Sequence, residues 1–234
     1  MTSPQLHRTR PGLKQTGHSR SGPRSGPRSG RWVLWALALL PCLIEAALQA
    51  SDAGLFGGLH WRSWAYQNGA FWTGFLTGWQ PGYAAQPVTM FLSYAVLHAG
   101  LAHLAGNMLM LALLGDRLLQ RLPPVLAPWL FILLYLGSAI GGGAGFALLA
   151  PASLPMVGAS GAVFGLVGAL LCHDTIRYAR AGLPRAPVLI RIAGLVGLNL
   201  LFWFAEDGLL AWQAHLGGFI TGWIVMWLIT QFDS

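Results

Sequence analysis

Charged residues are scarce in this chain. Asp, Glu, Lys and Arg make up 9% of its 234 residues, against about 25% in an ordinary soluble domain. So thin a supply cannot cover the surface of a soluble enzyme. It also excludes a disordered chain, a coiled coil and a nucleic-acid-binding domain of ordinary type. Cysteine is equally sparse. Cys42 and Cys172 stand apart in apolar stretches, with no CxxC or Cys/His pattern, so both read as small buried hydrophobes rather than as a disulfide or a zinc site. Acids are few, seven in all, and no H-E-x-x-H occurs. A metalloprotease would lack both its ligands and its general base.

What is abundant is apolar surface. Hydrophobic residues reach 55% of the chain and the mean hydropathy is +0.56, the composition of a polytopic membrane protein. Residues 1–31 differ from the rest. They carry seven bases and no acid, and the run SGPRSGPRSGR cannot build a core, so a disordered basic cytoplasmic tail is expected. A secretory signal is not expected, because the apolar segment Trp32–Ala50 is long enough to span and no Ala-x-Ala site follows it. A mitochondrial transit peptide shares the tail's composition and stays open, although the chain is short for it.

The membrane domain is expected over residues 32–231, with six helical spans: Trp32–Ala50, Phe91–Leu119, Val125–Ala150, Ser160–Tyr178, Val188–Ala205 and Ala211–Gln231. Each approaches the ~20 residues that cross a bilayer, and lipid selects helices because every backbone group must be satisfied within its own segment. The second span opens with polar residues and is expected to begin in earnest near Leu97. A long loop, Ser51–Met90, joins the first two spans. Trp61, Trp64, Trp72 and Trp79 suit a partly helical segment lying at the interface. Of the 14 lysines and arginines, all but Arg62 fall in the tail, after the second span or around the connection after the fourth. The positive-inside rule then puts both termini in the cytoplasm and the Trp-rich loop outside. The excess charge is a topology signal and a contact for anionic lipid; no nucleic-acid partner is needed to explain it.

Polar residues inside spans are costly and ask for a reason. Three clusters stand out: His98, His103 and Asn107 in the second span; Gly158, Ser160 and Gly161 at the start of the fourth; His215, Gly218 and Gly222 in the sixth. Taken singly each has a bland reading. Gly161, Gly165 and Gly168 are what close helix packing uses, and a membrane serine commonly bonds back to its own helix. Gly218 and Gly222 read most simply as a packing groove. Depth is what joins the clusters. Ser160 opens a helix on the outer side, His215 lies about five residues into another that starts there, and His103 and Asn107, spaced i,i+4, share one face of a third. Such a set has the parts of an acyl-transfer site: a serine hydroxyl, an imidazole base, and donors for an oxyanion from Asn107, His103 and the Ser160 N–H. No acid stands at that depth, which favours a Ser–His dyad over a triad. His173-Asp174 lies ~20 Å along the same helix from Ser160 and is read as an interfacial helix end.

These residues resemble those of the rhomboid intramembrane serine proteases. The likeness lies in H-x-x-x-x-H-x-x-x-N at His98, His103 and Asn107, in G-x-S-G at Gly158–Gly161, and in A-H-x-x-G-x-x-x-G at Ala214–Gly222. It implies an all-α six-helix bundle with a long first external loop. It implies Ser160 as nucleophile and His215 as base, Asn107 and His103 at the oxyanion, and Phe164 against the histidine, with His98, Gly158, Gly161, Gly218 and Gly222 in support. It further implies membrane-anchored substrates cut in or near their transmembrane helix, no metal or cofactor, and a bacterial cytoplasmic membrane as the setting. Two departures accompany it. The stretch Pro87-Val88-Thr89-Met90 stands where many rhomboids carry Trp-Arg, and Leu119 stands where many carry a Glu that pairs with an Arg such as Arg121. Two rival readings are a catalytically inactive rhomboid-like protein that binds membrane helices, and a transporter lined by His98, His103 and His215. The second lacks the intramembrane carboxylates such pathways use, Glu45 being the one away from the cytoplasmic end of a span. Oligomeric state cannot be read from the sequence.

Overall fold

A computed structural model describes residues 30–55, 60–151 and 154–232. The basic tail, Gly30 and Arg31 apart, lies outside the described residues. Arg31 itself is bonded to the fold, its Nε 3.0 Å from a carboxylate oxygen of Asp116. Among the described residues eight α-helices follow in order: α1 (Trp32–Asp52), α2 (Trp61–Gly69), α3 (Gln86–Ser93), α4 (Leu101–Leu119), α5 (Ala127–Leu149), α6 (Ser160–Arg180), α7 (Ala186–Ala205) and α8 (Trp212–Phe232). The protein is an all-α polytopic membrane protein, and α1, α4, α5, α6, α7 and α8 occupy the expected spans.

The second span differs from expectation. Phe91–Leu119 is not one helix: the chain breaks after Val96, and its two parts meet at 84°. Leu97 is extended, with φ −95° and ψ 146°, and Gly100 holds φ +134°, a conformation that L side chains avoid. The corner places His98, fully buried, ahead of α4 rather than within it.

Among the described residues three helices, α1, α5 and α7, are long and apolar enough to cross a membrane by themselves, and the α3–α4 pair counts as a fourth if taken as one broken span. α6 and α8 have 21 residues each but less apolar sequences. The reason is packing. They form the centre of the bundle, where helix meets helix and small residues replace lipid-facing ones. A Cβ on Gly222 would collide with the carbonyl oxygen of Gly165, and one on Gly168 with that of Phe219. α5 closes the other side, where a Cβ on Gly145 would lie 2.5 Å from the Gln213 carbonyl oxygen. α7 is the exception: Val188 is its one buried residue.

The first loop is folded onto this bundle. Phe71 is fully buried and meets Phe91, Tyr94 and Phe146 edge to face. Its strand β1 (Phe71–Trp72) pairs antiparallel with β2 (Pro155–Met156), tying the loop to the segment that leads into α6. Trp61, Trp64 and Trp79 stay exposed, as interfacial anchors do. The first loop carries its Trp-Arg pair at Trp61-Arg62 rather than at 87–90, and Arg62 ties the loop down. Its guanidinium reaches Glu45 at 3.0 Å and Asp52 at 2.7 Å, and the His98 carbonyl accepts from it at 3.3 Å. The hydrogen bond to Glu45, ahead of the one to Asp52, raises the Arg62 pKa above its already high value. Glu45 is thus a structural partner of Arg62.

Two other expectations change. Cys42 is only half-buried, on a helix that faces lipid, while Cys172 is buried. Asp174 is not a plain interfacial helix end. It is 6% exposed and receives Arg121 at 3.3 Å and Arg191 at 2.9 Å. Arg121, lacking a Glu at 119, finds its carboxylate on α6 instead.

Candidate active site

Ser160 is the first residue of α6, with its side chain half-buried. The residues before it cannot extend the helix backward. Gly158 holds φ +122°, its N–H donates to the Tyr94 carbonyl at 2.9 Å, and Ala159 accepts from the Val163 N–H at 3.0 Å. The N–H groups of a first helical turn have no intrahelical acceptor, and the helix dipole adds partial positive charge there. A developing anion next to Ser160 therefore meets donors already aimed at it.

α4 and the corner before it supply the polar wall facing this turn. His98 Nε2 accepts from the Ala159 N–H at 3.4 Å, so His98 holds the turn that leads into Ser160. His103 Nδ1 accepts from the Ala99 N–H at 3.4 Å, which leaves Nε2 as the protonated nitrogen of the neutral ring. That edge faces Gly158: a Cβ there would lie 2.6 Å from Cε1 and 2.8 Å from Nε2 of His103. Only glycine, for its φ and for this contact, fits the position. The His98 and His103 rings meet at 5.2 Å between centroids. Asn107, one turn below His103, is 6% exposed and gives one amide hydrogen to the His103 carbonyl at 3.0 Å, keeping the other.

α8 supplies His215, which is 6% exposed. Its ring stacks on Phe164 at 4.0 Å between centroids with an interplanar angle of 3°. Phe164 follows Ser160 by four residues and shares its helix face, so the imidazole lies over the turn that Ser160 begins. Glycine permits the approach. A Cβ on Gly161 would sit 3.4 Å from the Ala214 carbonyl oxygen, and one on Gly218 would strike the carbonyl of Gly161.

One polar contact lies outside the motifs. Asn199, on α7, places Oδ1 2.6 Å from Nδ1 of His215. The signal for it was present, since an amide inside an apolar span is costly without a partner. No motif drew attention to it.

Comparison with known proteins places the chain in a family. A family profile described as Rhomboid domain matches residues 85–232. The "Putative rhomboid protease YdcA" of Bacillus subtilis is 30% identical over 160 residues, covering 68% of this chain and 76% of that protein. RHOMBOID-like protein 4 of Arabidopsis thaliana is 35% identical over 137 residues, 57% of this chain and 32% of the relative. The rhomboid protease GluP of Bacillus subtilis is 34% identical over 136 residues, 56% of this chain and 24% of the relative. The chain thus spans about three quarters of the first of these and a third or less of the other two.

Proposed function

The chain belongs to the rhomboid family, and we propose that it is an intramembrane serine endopeptidase acting on membrane-anchored proteins in or near their transmembrane helix. The observation that carries this reading is the His215 ring, stacked on Phe164 one turn beyond Ser160, with the polar wall of α4 on the other side of the same turn.

The chemistry follows from the parts. Ser160 Oγ attacks the scissile carbonyl carbon while His215 Nε2 takes the hydroxyl proton. The carbonyl oxygen becomes an oxyanion, which receives hydrogen bonds from the Ser160 N–H, the His103 Nε2–H and the free amide hydrogen of Asn107. When the tetrahedral intermediate collapses, the C–N bond breaks and His215 returns the proton to the departing amine. An acyl ester remains on Ser160. Water, deprotonated by His215, then attacks the ester and releases the carboxylic acid and the serine. The substrates are transmembrane proteins and the surrounding partner is lipid. Both termini and the Arg-rich loops face the cytoplasm, and the site opens to the outside of a bacterial cytoplasmic membrane.

A fluorescent fluorophosphonate tests the reading in purified full-length protein, with cleavage of a transmembrane reporter in proteoliposomes as the second readout. Ser160→Ala is expected to abolish labelling, and Ser160→Ala and His215→Ala each to lower cleavage by at least about a thousandfold. Labelling of Ser160→Ala at the wild-type level would overturn it.

A further inference from the structure

The side-chain amide of Asn199 has an orientation fixed by chemistry. Its Nδ2 lies 3.0 Å from the Leu195 carbonyl oxygen, and a carbonyl can only accept. The NH2 group therefore points to Leu195 and the amide oxygen to His215. An oxygen 2.6 Å from Nδ1 requires that nitrogen to carry a hydrogen. In the neutral ring the lone pair is then at Nε2, the nitrogen a serine base must offer.

From this geometry we infer that Asn199 is the positioning residue of His215, a third member of the site contributed by α7. The inference rests on the Ser160–His215 reading. Asn199 selects the tautomer and holds one edge of the imidazole, while Phe164 holds its face. No proton passes to the amide. When Nε2 is protonated during acylation, the amide oxygen stays as a dipole facing the imidazolium.

The contact also links the base to a loosely held helix. α7 buries only Val188, and an apolar cavity of about 510 Å³ opens beside Asn199 and His215, walled by Leu195, Trp203, Trp212 and Phe219 among others. Hydrogen bonds fail within a few tenths of an ångström beyond 3.2 Å. A small outward displacement of α7 thus frees His215 to turn or to change tautomer, and the base is competent only while α7 stands against α8.

The test uses full-length protein in proteoliposomes, with kcat and KM for the transmembrane reporter followed across pH. Asn199→Ala is expected to lower kcat about tenfold to a hundredfold with KM little changed, and to move the acid limb of the profile to lower pH, because the imidazolium loses a partner. Asn199→Asp keeps an acceptor and adds charge. It is expected to recover most of kcat and to move the acid limb to higher pH, since a carboxylate raises the histidine pKa and the neutral base is lost earlier as pH falls. An Asn199→Ala enzyme with wild-type kcat and profile overturns the inference. So does a loss of kcat with an unmoved profile that Asp does not rescue, the mark of a merely structural residue. Ser160→Ala separates the two failures. If it is inactive while Asn199→Ala is normal, only the positioning role falls; if it is active, the dyad falls.

Different residues carry a second inference. At the other end of the bundle a cavity of about 580 Å³ opens between α4, α6 and α7, lined by Arg117, Arg121, Arg177 and Arg191 with Asp174 as its one acid. Asp174 is engaged by Arg121 and Arg191, whereas Arg117 and Arg177 have no carboxylate partner among the described residues. Leucines of α4, α6 and α7 continue the wall. Surplus positive charge beside an apolar slot, at the depth of the cytoplasmic headgroups, fits one kind of guest. We propose that this cavity binds an anionic phospholipid, phosphodiester on the arginines and acyl chain along the leucines.

Thermal unfolding in nanodiscs tests it. Phosphatidylglycerol is expected to raise the midpoint above that in phosphatidylcholine alone, and the double variant Arg117→Gln/Arg177→Gln to lose the increment. An increment that survives in the double variant overturns the proposal. An equal increment from inorganic phosphate in phosphatidylcholine discs assigns the arginines to a free anion and overturns it as well.

Discussion

The carbonyl oxygen of Gly161 occupies the space that a Cβ on Gly218 would need. One hydrogen in place of a methyl group therefore sets how near α8 comes to α6, and with it where His215 stands relative to Ser160.

Substitution at that contact is expected to be costly, and at an unpacked glycine of α7 cheap. Gly218→Ala forces backbone apart and should destabilise the fold by about 1–3 kcal/mol, lowering the thermal midpoint together with activity. Gly194→Ala on α7 is the control, because a Cβ there meets nothing within 4 Å. Its midpoint should match the wild type.

Phe164 holds the plane of the imidazole. Phe164→Leu keeps apolar bulk but removes the flat face, and kcat should fall about tenfold, the equivalent of ~1.4 kcal/mol and within the range of an aromatic contact. Phe164→Tyr should retain most of the rate. Michaelis–Menten kinetics on the transmembrane reporter decides the matter; equal rates for Leu and Phe would show that the stack has no share in catalysis.

Glu45 is 1% exposed, and its charge is tolerable there because Arg62 reaches it. Removing one partner of a buried pair costs about 3–5 kcal/mol. Arg62→Ala should therefore lower the unfolding midpoint more than the double variant Glu45→Leu/Arg62→Met, which leaves only the exposed Asp52 without its partner. The reverse order in a thermal melt would place the pair at the wet surface.

Topology is open to direct labelling. In a chain with Cys42 and Cys172 replaced by alanine, Leu209→Cys should react with an impermeant maleimide in intact cells. Leu183→Cys, in the Arg-rich connection after α6, should react only after the membrane is breached. Equal reaction from outside at both positions contradicts the positive-inside assignment.

Composition and periodicity carried the helical part of the fold well, because apolar length is what a bilayer demands. Ser160 and His215 were brought together by depth and Phe164 by the family resemblance, and the fold stacks Phe164 on His215. The break after Val96 was legible only as a start near Leu97, not as a corner. It depends on Gly100 at positive φ and on His98 bonding to Ala159, contacts that arise only once α6 is beside the corner. Asn199 was legible as a costly amide, but its partner is 16 residues away on another helix. Asp174 was misread for a like reason: Arg121 and Arg191 come to it from other helices, and no spacing in the chain announces them.

α7 shows almost all of its surface outward. Lipid is then the matrix that keeps this stave upright, at least as much as protein is. Bilayer thickness sets tilt at a modest cost per ångström of mismatch. Sterol, chain length or the belt of a detergent micelle thereby becomes a determinant of molecular shape, and preparations in different amphiphiles are different proteins in this one respect.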